Sequence, residues 1–200
     1  MRIRTTLAAL AASFFVAGAA QAAVVTYAFS GSGSGDLAGA AFADRAFDLV
    51  LTGDTDTIND FGFLVFEISP LQSATVRIDG LADAVLTSPS RLGINRLVNV
   101  IYFGPTFGPD YLDLQVSDAD EMAFTFAAPY GPVSGAANSF GQFVGVGTSQ
   151  GALTFSSVAG VTFQAVAGAV PEPATWAMMI VGLGGVGAML RRRPREQAHA

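Results

Sequence analysis

The stretch FDLVLT, residues 47–52, sets Phe47, Leu49 and Leu51 against Asp48, Val50 and Thr52. An apolar residue at every second position is the pattern of a strand with one face buried, because successive side chains leave a strand on opposite sides. The same period recurs in both directions along the chain. Leu112, Leu114 and Val116 alternate with Asp113, Gln115 and Ser117, Val161 and Phe163 with Thr162 and Gln164, and Val76 and Ile78 flank Arg77. FGFLVFEI (residues 61–68) is apolar on both faces and reads as a central strand, with RLVNVIYF (residues 96–103) as another. Gly, Pro, Asn, Asp and Ser separate these runs, and no window carries a sustained apolar stripe of helical period. The expected fold class is all-β, a β-sandwich or jelly-roll-like domain over residues 23–170. Within it, SGSGSGDLAG (residues 30–39) reads as a glycine-rich edge or hairpin, GPVSGAANSFGQ (residues 131–142) as a surface loop, and residues 157–170 as the last strand and a spacer.

The composition narrows the chemistry. The chain has no cysteine, which excludes disulfides and thiol chemistry, and no lysine, so that its ten basic residues are all arginine. Residues 23–170 hold four arginines against fourteen acids, a net charge of −10. Such a domain repels phosphate backbones, which argues against nucleic acid as a partner. The single histidine, His199, lies outside this span. A Ser-His-Asp triad, a Cys-His pair, a Schiff-base lysine and a histidine-ligated zinc site are therefore excluded within the domain.

Carboxylates and aromatics remain. Glu67 and Glu121 are the two glutamates of the span, and glycoside hydrolysis needs two carboxyl groups across the scissile bond. Asp54, Asp56 and Asp60 share GDTDTIND (residues 53–60), a spacing that offers oxygens to calcium or, alternatively, the side chains of a solvated turn. Asp118, Asp120 and Glu121 read as a charged hairpin turn. Tyr102, Phe107 and Tyr111 offer a glycan-stacking platform or, alternatively, caps on the core.

The two ends carry a different kind of information. Arg2 and Arg4, an apolar run and Ala20-Gln21-Ala22 have the three-part order of a secretory signal over residues 1–22, with signal peptidase cutting between Ala22 and Ala23. Near the other end, residues 174–190 are uncharged and as a helix would reach about 25 Å, nearly the thickness of a bilayer's hydrocarbon core. Trp176 lies at one end of that run and Arg191, Arg192 and Arg193 at the other, an arrangement that places the arginines in the cytoplasm. The expectation is a single C-terminal transmembrane helix. The alternative is an ordinary C-terminal anchor.

Pro171-Glu172-Pro173, then Trp176-Ala177-Met178-Met179, a glycine-rich apolar stretch and Arg191-Arg192-Arg193 resemble the PEP-CTERM sorting signal, in the variant with Trp-Ala after Pro-Glu-Pro. The resemblance covers residues 171–195, with Leu183 where phenylalanine is expected. It implies an exosortase, a membrane-embedded cysteine transpeptidase-like enzyme, that recognises Pro171-Glu172-Pro173, removes the tail and passes the protein to the cell surface. Such systems accompany exopolysaccharide and biofilm production in Gram-negative bacteria. The implied protein crosses the inner membrane, forms a membrane-anchored precursor with a cytoplasmic C-terminus, and ends at the surface or in the extracellular matrix. Its expected role is noncatalytic. A carbohydrate-binding module, with or without calcium, is the alternative, and a carboxylate-dependent glycoside hydrolase a third reading.

Overall fold

The computed structural model describes residues 24–117, 125–138 and 143–167. Residues 1–23 and 168–200 lie outside this range. The signal segment, Ala22 and Ala23, and the sorting segment with Pro171, Glu172, Pro173, Trp176 and Arg191–Arg193 are therefore outside the described residues, as is Glu121. Among the described residues there is a one-turn 3-10 helix, Thr55–Thr57, and otherwise strand and turn; no helix there is long and apolar enough to cross a membrane.

Twelve strands follow in chain order: β1 (Val24–Leu37), β2 (Ala40–Asp54), β3 (Ile58–Asp60), β4 (Val65–Ile68), β5 (Ser73–Ile78), β6 (Ala84–Val85), β7 (Ser90–Asn95), β8 (Val100–Pro105), β9 (Leu112–Val116), β10 (Tyr130–Asn138), β11 (Val146–Thr148) and β12 (Gly151–Ala167). Every pairing is antiparallel, and the hydrogen-bonded path runs β3-β4-β7-β8-β9-β10-β12-β1-β2-β5-β6, with β11 beside β12. The all-β expectation holds. The strands form one continuous hydrogen-bonded path curled into a half-barrel, in which two sets of strands are joined through β10. The curl is made by β10, whose first part pairs with β12 and whose second part, from Gly135 to Asn138, pairs with β9. A strand that changes partners along its length turns the corner of a folded sheet.

The alternating stretches behave as their period requires. Phe47, Leu49, Leu51, Val76, Ile78, Leu112, Leu114, Val116, Val161 and Phe163 are all buried, and their polar neighbours face outward. Tyr27 and Phe29 on β1 meet Phe163 on β12 and Phe126 in the loop before β10. The Tyr27 hydroxyl is fully buried and donates to the Phe126 carbonyl at 2.8 Å, and burial pushes its pKa well above the usual phenol range. A Cβ at Gly53 would stand 2.5 Å from Ile68 Cδ1, so glycine here lets β4 close over β2.

The hairpin reading of SGSGSGDLAG holds, although the stretch is not an edge: residues 30–37 continue β1 between β12 and β2, and Ala38-Gly39 turn the chain into β2. A Cβ at Gly33 would meet the Phe155 ring and one at Gly31 the Ala159 carbonyl and the Phe47 ring, so the glycines make room for neighbours' aromatics and backbone while the serines alternate with them. FGFLVFEI is not one long strand. Phe61–Leu64 is a tight turn, closed by Val65 N–H donating to the Gly62 carbonyl, and the strand begins at Val65. Likewise residues 96–99 form the turn before β8. The supposed loop at residues 131–142 contains most of β10, whose small residues fit a strand crossed closely by its neighbours: a Cβ at Gly135 would overlap the Gln115 carbonyl.

Tyr27→Phe leaves the Phe126 carbonyl buried without this donor and should cost roughly 1–2 kcal/mol; Phe163→Ala should cost roughly 3–5 kcal/mol. Urea denaturation followed by circular dichroism checks both. Equal stability of Tyr27→Phe and wild type would remove the hydrogen bond from the account.

Candidate functional site

The inward face of β4, β7, β8 and β9 is fixed by Ile68, Leu92, Ile94, Ile101, Phe103, Leu112 and Leu114, all buried. The residues between them must then share the outer face. Register sets them in rungs. Glu67 pairs with Gly93, Gly93 with Tyr102, and Tyr102 with Asp113. On one side lies the rung Arg91–Gly104, on the other Val65–Asn95–Val100–Gln115. These rungs floor an open trough whose lining also includes Phe61, Val98 and Asp110. Four residues of strand separate the outer rungs, about 13 Å at ~3.3 Å per residue.

Glycine at position 93 is part of the design. A Cβ there would overlap the Tyr102 ring, so the phenol lies across the glycine and reaches the next strand. Its hydroxyl donates to Glu67 Oε2 at 3.3 Å. Arg91 Nε stands 3.5 Å from the same oxygen, and the guanidinium lies 5.7 Å from the Tyr102 ring centroid. Arg91 Nη2 reaches Asp110 Oδ1 at 2.9 Å. The same guanidinium donates to the Thr106 carbonyl at 3.2 Å and the Gly108 carbonyl at 3.1 Å. It therefore grips the β8–β9 loop on both sides of Phe107, which is 90% exposed.

Charge in the trough is unbalanced. Arg91 faces Glu67 and Asp110, while Asp113 has no counter-charge among the described residues, and its Oδ1 is buried without a hydrogen-bond partner there. Burial first, and the Asp110 charge second, push the Asp113 carboxyl up to about 6. Burial also raises Glu67, against the opposing pull of Arg91 and the Tyr102 hydrogen bond.

The residues singled out from the sequence are distributed as follows. Glu67 is nine-tenths buried and held by Arg91 and Tyr102; its supposed partner Glu121 is outside the described residues. Tyr102, Phe107 and Tyr111 do not form one platform. Tyr102 floors the trough, Phe107 projects from the loop, and the Tyr111 ring packs on Phe103 and Phe143 at the core. Asp54 caps the 3-10 turn by accepting from Asp56 N–H at 2.9 Å, and Asp60 accepts from Gly62 N–H at 2.8 Å. Asp54 and Asp60 each spend one carboxylate oxygen on a turn N–H, and among the described residues no three acidic or histidine side chains converge on a metal-sized site. Arg91, Asp110 and Asp113 escaped the sequence reading. The signal that points to Arg91 is its rarity, one of four arginines in residues 23–170, set in a strand of otherwise small and apolar residues.

The Asp113 carboxyl has a clear consequence for stability. Its pKa is higher folded than unfolded, so the folded state holds the proton more tightly, and stability falls as pH rises from about 4 to about 6. Asp113→Asn keeps the shape and removes the buried charge. It should raise stability at pH 7.5 by on the order of 1–2 kcal/mol and flatten the profile between pH 4 and 6. Thermal melts across that range check this; a destabilised variant with an unchanged profile would show that the charge is compensated.

No curated protein and no solved structure matches the chain. Residues 169–193 match the family model of the PEP-CTERM protein-sorting motif. That span contains the Pro-Glu-Pro, the tryptophan, the apolar stretch and the three arginines in order. The chain thus carries a β-rich domain followed by the PEP-CTERM sorting motif, the mark of an exosortase-sorted exported protein.

Proposed function

We propose that this protein is a noncatalytic structural or adhesive component of the cell surface or extracellular matrix, delivered there by an exosortase and associated with exopolysaccharide and biofilm. The sorting motif at residues 169–193 carries the reading. The residue inventory supports it, since residues 23–170 hold no histidine, cysteine or lysine and thus lack the usual nucleophile–base pairs. In the precursor, residues 174–190 span the inner membrane with Arg191–Arg193 in the cytoplasm. Two prolines around Glu172 deprive the segment of backbone donors and hold it extended for a membrane enzyme to grip.

A second reading, a carbohydrate-binding module, is favoured by the trough. Its floor mixes hydrogen-bonding side chains with the Tyr102 ring, and the exposed Phe61 is among its lining residues. The hydrolase reading gains no such support, because Glu67 is committed to Arg91 and Tyr102.

An epitope tag after Ala200 tests the sorting. In an exosortase-bearing host the tag should vanish from mature wild-type protein. It should persist when Pro171-Glu172-Pro173 is replaced by alanines or when the exosortase is deleted, with the protein accumulating in the membrane. A tag retained on the mature wild-type protein would make plain C-terminal anchoring the better account.

A further inference from the structure

Two neighbouring turns at one end of the sheet carry an apolar cluster that packing does not use. Phe61–Leu64 joins β3 to β4, residues 96–99 join β7 to β8, and the Arg96 N–H donates to the Leu64 carbonyl at 3.0 Å. Phe61, Phe63, Leu64, Leu97 and Val98 are all exposed there, Phe63 by 85%. They are half of the ten exposed large apolar side chains among the described residues, which sets them apart from the scattered ones that any surface carries. Phe63 and Leu64 also hold φ of 50° and 65°. Bulky residues rarely adopt that conformation, and a turn that only reversed the chain would be served by glycine or asparagine. The Arg96 guanidinium lies 4.7 Å over the ring of Phe66, two residues into β4 from Leu64.

Register places these turns at the end of the sheet from which the chain leaves towards residues 174–190. Tyr130, at the start of β10, pairs with Ala165 near the end of β12. From there β10 runs away from that end, pairing Gly135 with Val116 and Asn138 with Asp113. Val116 is therefore the end of β9 nearer Ala165, and Gln115 beside it pairs with Val100, next to the 96–99 turn. Seven residues separate Ala167, where β12 ends, from Ala174, a reach of at most about 25 Å.

Building on the reading of residues 174–190 as a membrane-spanning segment, we infer that the two turns dip into the surface of the bilayer that anchors the precursor. The five apolar side chains enter the acyl boundary and Arg96 stays at headgroup level. A lipid surface fits the cluster better than a second copy of the chain does. An ordinary protein interface takes about 20–30 residues on each side, whereas five side chains on two turn tips suit a medium with no shape to match. Such a tip alone gives only reversible attachment. The domain is thus held down while the tail tethers it and is freed once the tail is removed.

The full chain reconstituted in phosphatidylcholine vesicles, with and without bromine on the acyl chains, tests this by fluorescence quenching. The chain has one tryptophan, Trp176, so Phe63→Trp and Phe107→Trp in a Trp176→Phe background each carry a single reporter. Phe107 is 90% exposed and follows the opposite end of β8, so it serves as the control. Circular dichroism confirms that each variant is folded. The expected result is that bromine quenches Phe63→Trp, as it quenches Trp176 of the wild type, and spares Phe107→Trp. Quenching of Trp176 without quenching of Phe63→Trp would overturn the inference and leave the anchor standing. Quenching of neither would overturn both. Equal quenching of Phe63→Trp and Phe107→Trp would reduce the contact to unspecific adsorption and overturn the inference. Emission of Phe63→Trp that shifts to the blue with protein concentration, unaffected by bromine, would assign the cluster to a second copy and overturn it too.

Discussion

Tyr27 is among the largest fully buried side chains of the core. Its ring lies against Phe163 and Phe126, its strand is flanked by β12 and β2, and Gly53 beside it leaves room for Ile68 of β4. The buried hydroxyl donates to the Phe126 carbonyl. A disulfide-free domain must hold its fold by burial, and here the burial is largely aromatic: Phe29, Phe42, Phe47, Phe103, Phe143 and Phe155 join the same core. Glycines at positions 31 and 33 let the rings of Phe47 and Phe155 lie against the backbone of β1. With the inner face fixed this way, a one-residue slip in any strand would turn its apolar side chains into water.

That constraint also builds the outer face. Once Leu92, Ile94, Ile101, Phe103, Leu112 and Leu114 point inward, Gly93, Tyr102 and Asp113 must align outward in one rung with Glu67. Arg91 then binds the rung to the β8–β9 loop through two carbonyls and Asp110. The trough is thus a consequence of register, held by one guanidinium. Its unpaired carboxylate is the feature that packing alone does not require.

The strands whose inward residues alternate cleanly were legible in the sequence, as at residues 47–52 and 112–116. Runs apolar on both faces were not. Residues 61–64 and 96–99 resemble strand by composition, yet Gly62, Phe63, Leu64 and Asn99 all adopt positive φ, which ends a strand whatever its hydrophobicity. The opposite error arose in β10, where Gly, Ala and Ser suggested a loop and in fact permit close strand crossing. The site was half legible. Glu67 and Tyr102 were picked out separately, for catalysis and for stacking, whereas the structure places them on a common rung through Gly93. Tyr111 was grouped with Tyr102 by proximity in sequence, but it meets the core aromatics. Arg91, Asp110 and Asp113 come from three segments that only the sheet brings together.

The sorting motif and the β-rich domain divide the work: one specifies the route and the other is what it carries. The net charge of −10 over residues 23–170 favours solubility, and the aromatic core is built without disulfides. The most direct test of this account is the intact mass of the protein recovered from the surface or medium of an exosortase-bearing host. The account predicts a chain that begins at Ala23 and lacks Arg191, Arg192 and Arg193. A mass that retains those arginines would contradict it.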